Sequence, residues 1–404
     1  MDLKSGEPFW TVKNGLMHAF PPLRSDVACD VAVIGGGITG ALVADELSRH
    51  GHDVVVLDKR DVGWGSTSAS TALLQYEIDT PMVELAQQYG EAAAALAYRS
   101  CLHALDLADE RARAVGNVDY ARMDSLYWAS RSRDRGDMES EFALRRAHRL
   151  PVEWLEAGDV RERFGFAAPC AILSMRAARI DPYRMAQRML AGLERQGVPV
   201  HDRTGVARLE PHVRGVRIHT NGGQVVRATR VVIAAGYESE TFLRARVACN
   251  RSTYAFITEP IDAALLGRLR TTMAWETARP YLYLRTTGDH RLLVGGADDD
   301  VDVPARRDAR VAAKTRKLVK RVAAMFPWIP VEPAFAWAGT FAETRDGLPW
   351  FGAHPQAHPR VLFAMAYGGN GITYSLLGAG LLRALVERRP HALRALFGFD
   401  RRRV

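Results

Sequence analysis

Lysine is scarce in this 404-residue chain, confined to Lys4, Lys13, Lys59, Lys314, Lys317 and Lys320, although lysine and arginine together number 54. The formal charge of +8 is therefore carried almost wholly by arginines scattered along the chain, with no basic block interleaved with aromatics. That distribution argues for generic surface charge and against a nucleic-acid-binding surface. Cysteine is thin too. Cys29, Cys101, Cys170 and Cys249 are widely spaced, with no Cys-x-x-Cys pair and no Cys/His spacing suited to zinc. No metal site is expected, and reduced, mostly buried thiols are. Long apolar runs are also missing: none reaches the roughly 18 uncharged residues that span a bilayer, and residues 1–10 lack the apolar core of a signal peptide. A cytoplasmic location without a transmembrane segment is the expectation, with peripheral contact at the inner membrane left open.

The length exceeds one ordinary core and suggests two units, interleaved or in tandem. The first strong signal is a buried strand over 30–34, followed at once by Gly35-Gly-Gly-Ile-Thr-Gly40, a helical pattern over 41–50, and a second apolar strand over 54–57 ending at Asp58. This reads as a βαβ unit on a parallel sheet. In Gly35-x-Gly37-x-x-Gly40, Gly35 allows the tight turn, Gly37 admits a pyrophosphate and Gly40 lets helix pack on strand. Amides at the helix start, including those of Ile38 and Thr39, would hold the phosphate charge. Asp58 would accept hydrogen bonds from ribose hydroxyls. A glycine-rich turn without a ligand is the bland alternative.

Further along, helices are predicted over 82–115, 182–196, 309–326 and 372–388, and a hairpin around Asn221-Gly222-Gly223 leads into a strand over 231–236. Short aromatic or β-branched runs at 254–258, 281–285 and 291–295 have the spacing of an antiparallel sheet.

Three more segments discriminate between dinucleotides: Asp58-Lys59-Arg60 running into Gly63-Trp-Gly65-Ser66-Thr67-Ser68-Ala-Ser70; the strand 231–236; and Thr344-Arg345-Asp-Gly347-Leu-Pro349 followed by Tyr367-Gly-Gly369-Asn370-Gly371-Ile372. Together, in this order, they resemble the D-amino-acid oxidase, glycine oxidase and sarcosine oxidase superfamily of FAD-dependent oxidoreductases. The resemblance implies an α/β and α+β chain. A Rossmann-like, glutathione-reductase-like FAD-binding domain (1–80, 152–240 and 335–404) would interleave with a substrate domain on an antiparallel sheet (81–151 and 241–334). It also implies non-covalently held FAD, since neither 63–70 nor 339–346 contains Cys or His. Gly65, Ser66, Thr67 and Ser68 would meet the pyrophosphate and flavin, the Val206 backbone the adenine, and Ala235 and Gly236 the cofactor's edge. Lys59, Arg60 and Gly347 join this set, and Gly369, Asn370, Gly371 and Ile372 would place a helix N-terminus at the flavin pyrimidine, favouring the reduced anion.

The chain departs from its best-known relatives where they grip a substrate carboxylate. Three arginines expected from the resemblance are replaced by Phe341, Gly369 and Gln75. Arg285 or Arg345 could rebuild a clamp, and an ordinary salt bridge is the alternative for each. The segment 337–344 is nearer in outline to amine-oxidising members such as gamma-glutamylputrescine oxidase. The expected reaction is oxidation of a C–N bond in an amine or amino-acid-like substrate by hydride transfer to flavin N5, giving an imine that hydrolyses. Gln75, Tyr254, Tyr283, Arg285, Phe341, Glu343 and Arg345 are the candidate substrate-site residues. Reoxidation would use oxygen or a quinone or protein acceptor. A 2-hydroxy-acid dehydrogenase, a tRNA-modifying flavoprotein and a non-catalytic flavoprotein subunit stay open as alternatives.

Overall fold

The apolar strand Val27–Ile34 sits at the middle of one of two sheets in the computed structural model, which describes residues 2–6, 8–301 and 303–402. It pairs in parallel with Val54–Leu57 on one side and Val225–Ile233 on the other, and Val200–His201 and Val361–Met365 extend the parallel set. Strands buried on both faces read as continuous apolar runs, and Val31, Ala32, Val33 and Val54 to Leu57 are all buried. The meander Val206–His212, Gly215–Thr220 and Val225–Ile233 adds two antiparallel strands.

Helix Ile38–Arg49 follows the first strand and buries Ala41, Leu42, Val43, Ala44 and Leu47. Against it packs Gly371–Val386, a helix apolar nearly all round and accordingly buried, with the long helix Glu91–Val115 on its other side. Asp181 caps helix Pro182–Arg195 by accepting the Arg184 amide at 2.9 Å, with Pro182 at the first helical position.

The second sheet orders its strands Pro333–Glu343, Cys249–Pro260, Arg291–Asp299, Leu282–Thr286, Thr272–Glu276, Ala121–Trp128, Cys170–Arg179 and Leu73–Gln75, with Val152–Glu156 paired to Cys170–Arg179. It is antiparallel except where Thr272–Glu276 runs parallel to Ala121–Trp128. Sheet membership differs from the expected segment boundaries in four places. Leu73–Gln75, Val152–Glu156, Cys170–Arg179 and all but the first two residues of Pro333–Glu343 fall in segments expected for the cofactor unit, yet their backbones pair in the second sheet. Among the described residues no helix is long and apolar enough to cross a membrane, and no cluster of His, Cys, Asp and Glu could hold a metal ion.

Candidate functional site

The parallel strands end at Ile34, Leu57 and Ile233, and a cavity of ≈ 360 Å³, lined there by Ile34, Leu57 and Ala234, begins at those ends and runs to the face of the second sheet. This is where open parallel sheets place their ligands. At its first end the chain turns at Gly35, whose φ of +114° suits glycine. A Cβ at Gly40 would lie 1.8 Å from the Gly35 carbonyl oxygen, so helix and strand touch backbone to backbone. The Ile38 amide donates to Thr67 Oγ1 at 3.0 Å, which ties the helix start to the short helix Ser66–Ala69. Beside it, Ser66 Oγ is sealed from solvent without a hydrogen-bond partner among the described residues.

Asp58 accepts the Gly36 amide at 2.6 Å and the Arg60 amide at 2.8 Å. Burial pushes its carboxyl up to about 6 against the pull of those two amides. Lys59 and Arg60 both donate to Glu238, at 2.7 and 2.9 Å. Burial would raise Glu238, but the hydrogen bonds from Arg60 and Lys59 outweigh it and hold the acid at about 2. Val206, Ala235 and Gly236 complete this end of the wall.

Three consecutive carbonyls along one side of the cavity are each held by a separate buried side chain. Trp337 Nε1 donates to Ala69 O at 2.9 Å, Trp10 Nε1 to Ser70 O at 2.8 Å and Arg285 Nε to Thr71 O at 2.7 Å. At the far end, Gly369, Asn370, Gly371 and Ile372 open the last long helix. Asn370 Nδ2 donates to Gln75 O (3.1 Å) and Glu77 O (2.7 Å), and Asp79 Oδ2 accepts the Gly369 amide at 2.6 Å.

Of the candidate substrate residues, Gln75, Tyr283 and Phe341 line the cavity and the others do not. Tyr254 faces the opposite core because side chains alternate along its strand, leaving Thr253 and Ala255 on the cavity side. Arg285 is sealed behind the wall, its guanidinium bonded to Thr71 O, Thr286 O and Ile180 O, so it is no carboxylate clamp. Glu343 pairs with Arg251 at 2.5 Å, and Arg345 lies exposed in a turn. Among the expected cofactor residues, three lie off the wall. Ser68 Oγ turns back to Gly65 O at 2.9 Å, Gly40 faces Gly35, and Gly347 accepts the Tyr374 hydroxyl beneath the glycine loop at 2.7 Å. Sequence reasoning missed Asp79, Tyr237, Trp275, Tyr281, Asp298 and Trp337, all in the wall. Alternation would have found Trp275, but Asp298 sits in an Ala-Asp-Asp-Asp run that reads as a solvated turn.

A glycine turn at the strand ends, an acid just past the next strand and an orphaned buried hydroxyl beside them are the features of a dinucleotide-binding protein of the parallel-sheet class. Residues 30–385 match the DAO family, described as FAD dependent oxidoreductase, and the chain belongs to it. FAD is accordingly its cofactor, and the residues at the first end fit a pyrophosphate there. The chain is 29% identical to glycine oxidase of Geobacillus kaustophilus (strain HTA426) over 377 residues, covering 90% of this chain and 94% of that protein. It is 26% identical to gamma-glutamylputrescine oxidoreductase of Escherichia coli (strain K12) over 381 residues, 91% and 86% of the two chains. The fold is shared with the crystal structure of glycine oxidase from Geobacillus kaustophilus (TM-score 0.76, 22% identity, 93% of this chain and 99% of that one). It is shared equally with L-proline dehydrogenase from P. horikoshii (TM-score 0.78, 16% identity, 93% and 97%).

Proposed function

We propose that this enzyme oxidises a C–N bond of an amine or amino-acid-like substrate, giving an imine that water hydrolyses. FAD, when bound, supplies the hydride acceptor. One observation carries the reading: among the described residues the only cations in the cavity wall, Lys59 and Arg60, are at the Asp58 end and committed to Glu238, so no described lining residue at the opposite end offers a positive group to a substrate carboxylate. Burying an uncompensated carboxylate is costly, which disfavours a 2-hydroxy acid and a simple amino acid alike. The names of the two relatives, one acting on glycine and one on a glutamylated putrescine, agree with C–N oxidation.

The chain's own contribution is placement and exclusion of water. Trp337, Trp10 and Arg285 fix the 69–71 wall, while Asn370 fixes Gln75, so a substrate entering between them meets a preorganised surface. The parallel sheet with its helices forms the cofactor unit and the second sheet the substrate unit. No Cys or His is among the described lining residues, which supports non-covalent FAD. Acid precipitation is expected to leave the yellow colour in the supernatant.

Anaerobic addition of amines, N-methyl amino acids, D-amino acids and 2-hydroxy acids to the yellow protein tests the reading. Bleaching by amines is the expected result, with rapid return of colour in air marking an oxidase and slow return a dehydrogenase. Bleaching by 2-hydroxy acids alone would overturn it.

A further inference from the structure

Four aromatic side chains and two acids, Trp275, Tyr281, Tyr283, Phe341, Asp79 and Asp298, stand in the cavity wall away from the Asp58 end. The two acids differ. Asp79 is committed: Oδ2 accepts the Gly369 amide at 2.6 Å and Oδ1 the Tyr281 hydroxyl at 3.3 Å. Asp298 Oδ1 is sealed from solvent and accepts no hydrogen bond among the described residues, although the residue lines an open cavity. A buried acceptor without a partner is unfavourable in the free protein and is satisfied when a donor arrives.

The backbone shows why this acid points inward. Opposite Cys249–Pro260, the pairing passes from Ser252↔Asp299 to Tyr254↔Gly296, so three residue steps on one strand face two on the other. Gly296 at φ +132° and Ala297 at φ +55° absorb the extra residue. Such bulges re-aim side chains beside active sites. Here the result is that Asp298 reaches the wall while Asp299 turns to Arg310 and Lys314, at 2.8 and 3.0 Å.

We infer that this end of the cavity is a cation subsite, in which Asp298 and the rings of Tyr281, Tyr283 and Trp275 receive the substrate as an alkylammonium carrying no carboxylate on the reacting carbon. The inference rests on the amine-oxidation reading above and names the substrate class within it. Tyr281 and Tyr283 have ring centroids 5.6 Å apart and planes inclined at 54°, and Trp275 stands edge-on to Tyr281 at 6.5 Å. The π-electron faces of such rings attract cations, as the Arg279 guanidinium 4.5 Å from the Tyr281 ring centroid illustrates. An ammonium donates the hydrogen bond that Asp298 lacks, whereas a carboxylate would meet two acids. Oxidation needs the nitrogen lone pair, so the N–H bond breaks as an O–H bond forms on Asp298 Oδ1, the acceptor without a partner.

The electrostatic surroundings favour the same occupant. Burial pushes the Asp298 carboxyl from 3.8 to about 7, with Glu343 and Asp79 adding to the rise and the Thr253 hydroxyl and Lys314 opposing it. Burial also raises the Tyr281 and Tyr283 phenols, which therefore stay neutral, while Arg279, which is not among the lining residues, donates to Asp79 O at 2.9 Å and lies 4.5 Å from the Tyr281 ring centroid. Cation affinity should consequently rise with pH as Asp298 ionises.

The test is calorimetric titration of the FAD-loaded enzyme with tert-butylammonium, whose nitrogen-bearing carbon has no hydrogen to lose, and with pivalate, its anionic counterpart of similar shape. Tert-butylammonium should bind, more tightly at about pH 8 than at about pH 6, and pivalate should not. Asp298→Asn should weaken the cation by about tenfold or more, with its flavin spectrum unchanged as the check on folding. Equal binding of pivalate, or an unchanged affinity in Asp298→Asn, overturns the inference. Bleaching by amines with unchanged Asp298→Asn binding would remove this subsite and leave the proposed reaction. Cation binding without bleaching by any amine would do the reverse.

Discussion

Arg285 Nε donates to the carbonyl of Thr71 at 2.7 Å, and through that bond a buried guanidinium on the second sheet holds the 69–71 segment of the cavity wall. Burial lowers Arg285 to about 10, still charged at neutral pH, and the planar fork reaches Ile180 O and Thr286 O as well. Arg285→Leu strands these carbonyls, at a cost of about 1–3 kcal/mol each where no water replaces the donor. The expected outcome is a clear fall in Tm together with loss of FAD on dialysis. A raised KM with unchanged Tm and FAD content would mean that Arg285 serves the substrate instead.

Asp58 organises the dinucleotide turn by accepting two backbone amides. Asp58→Ala is expected to weaken FAD retention by about tenfold or more, read as the Kd for FAD added back to the apoprotein. Asp58→Asn keeps one acceptor and should lie between the two.

Gly40→Ala tests the backbone contact between helix and strand. The added methyl must displace the Gly35 carbonyl, and overpacking of this kind costs about 1–3 kcal/mol or more. Differential scanning fluorimetry should show a lower Tm with and without FAD, because the clash is present in both.

The pH dependence of stability isolates Asp298. Its carboxyl keeps its proton in the folded protein up to about 7, while in the unfolded chain it ionises near 3.8. Stability from this group is therefore fully present below the unfolded value, falls as pH rises toward about 7, and is constantly lower above that. Asp298→Asn escapes the loss. Without substrate, its Tm should exceed the wild-type Tm by a margin that widens between about pH 4 and pH 7 and then levels off. A constant margin across that range would contradict burial of the ionisable acid.

The glycine-turn end of the cavity was legible because its residues are local. Gly35, Gly37, Gly40 and Asp58 lie within 24 residues, and the strand at 54–57 matches its expected bounds. The substrate end was not, because it is assembled from distant strands. Tyr254 was named for its aromatic ring, but the cavity side of its strand belongs to Thr253 and Ala255. Arg285 shares the side of Tyr283 by alternation, yet the 70–72 segment lies over it, a layer no local pattern announces. Asp298 was hidden by the irregular pairing that turns it inward. Four strands of the second sheet lie wholly or mostly in segments expected for the cofactor unit, because apolar periodicity identifies a strand without naming its neighbour.

The extra residue at Gly296 and Ala297 leaves Thr253 and Asp298 on the cavity face while Tyr254 and Ala297 turn to the opposite core. Deleting either one would keep an acid across from Thr253 and remove only the local bend of the strand. Chain length at this point therefore sets how far the carboxylate reaches into the cavity and leaves its charge untouched.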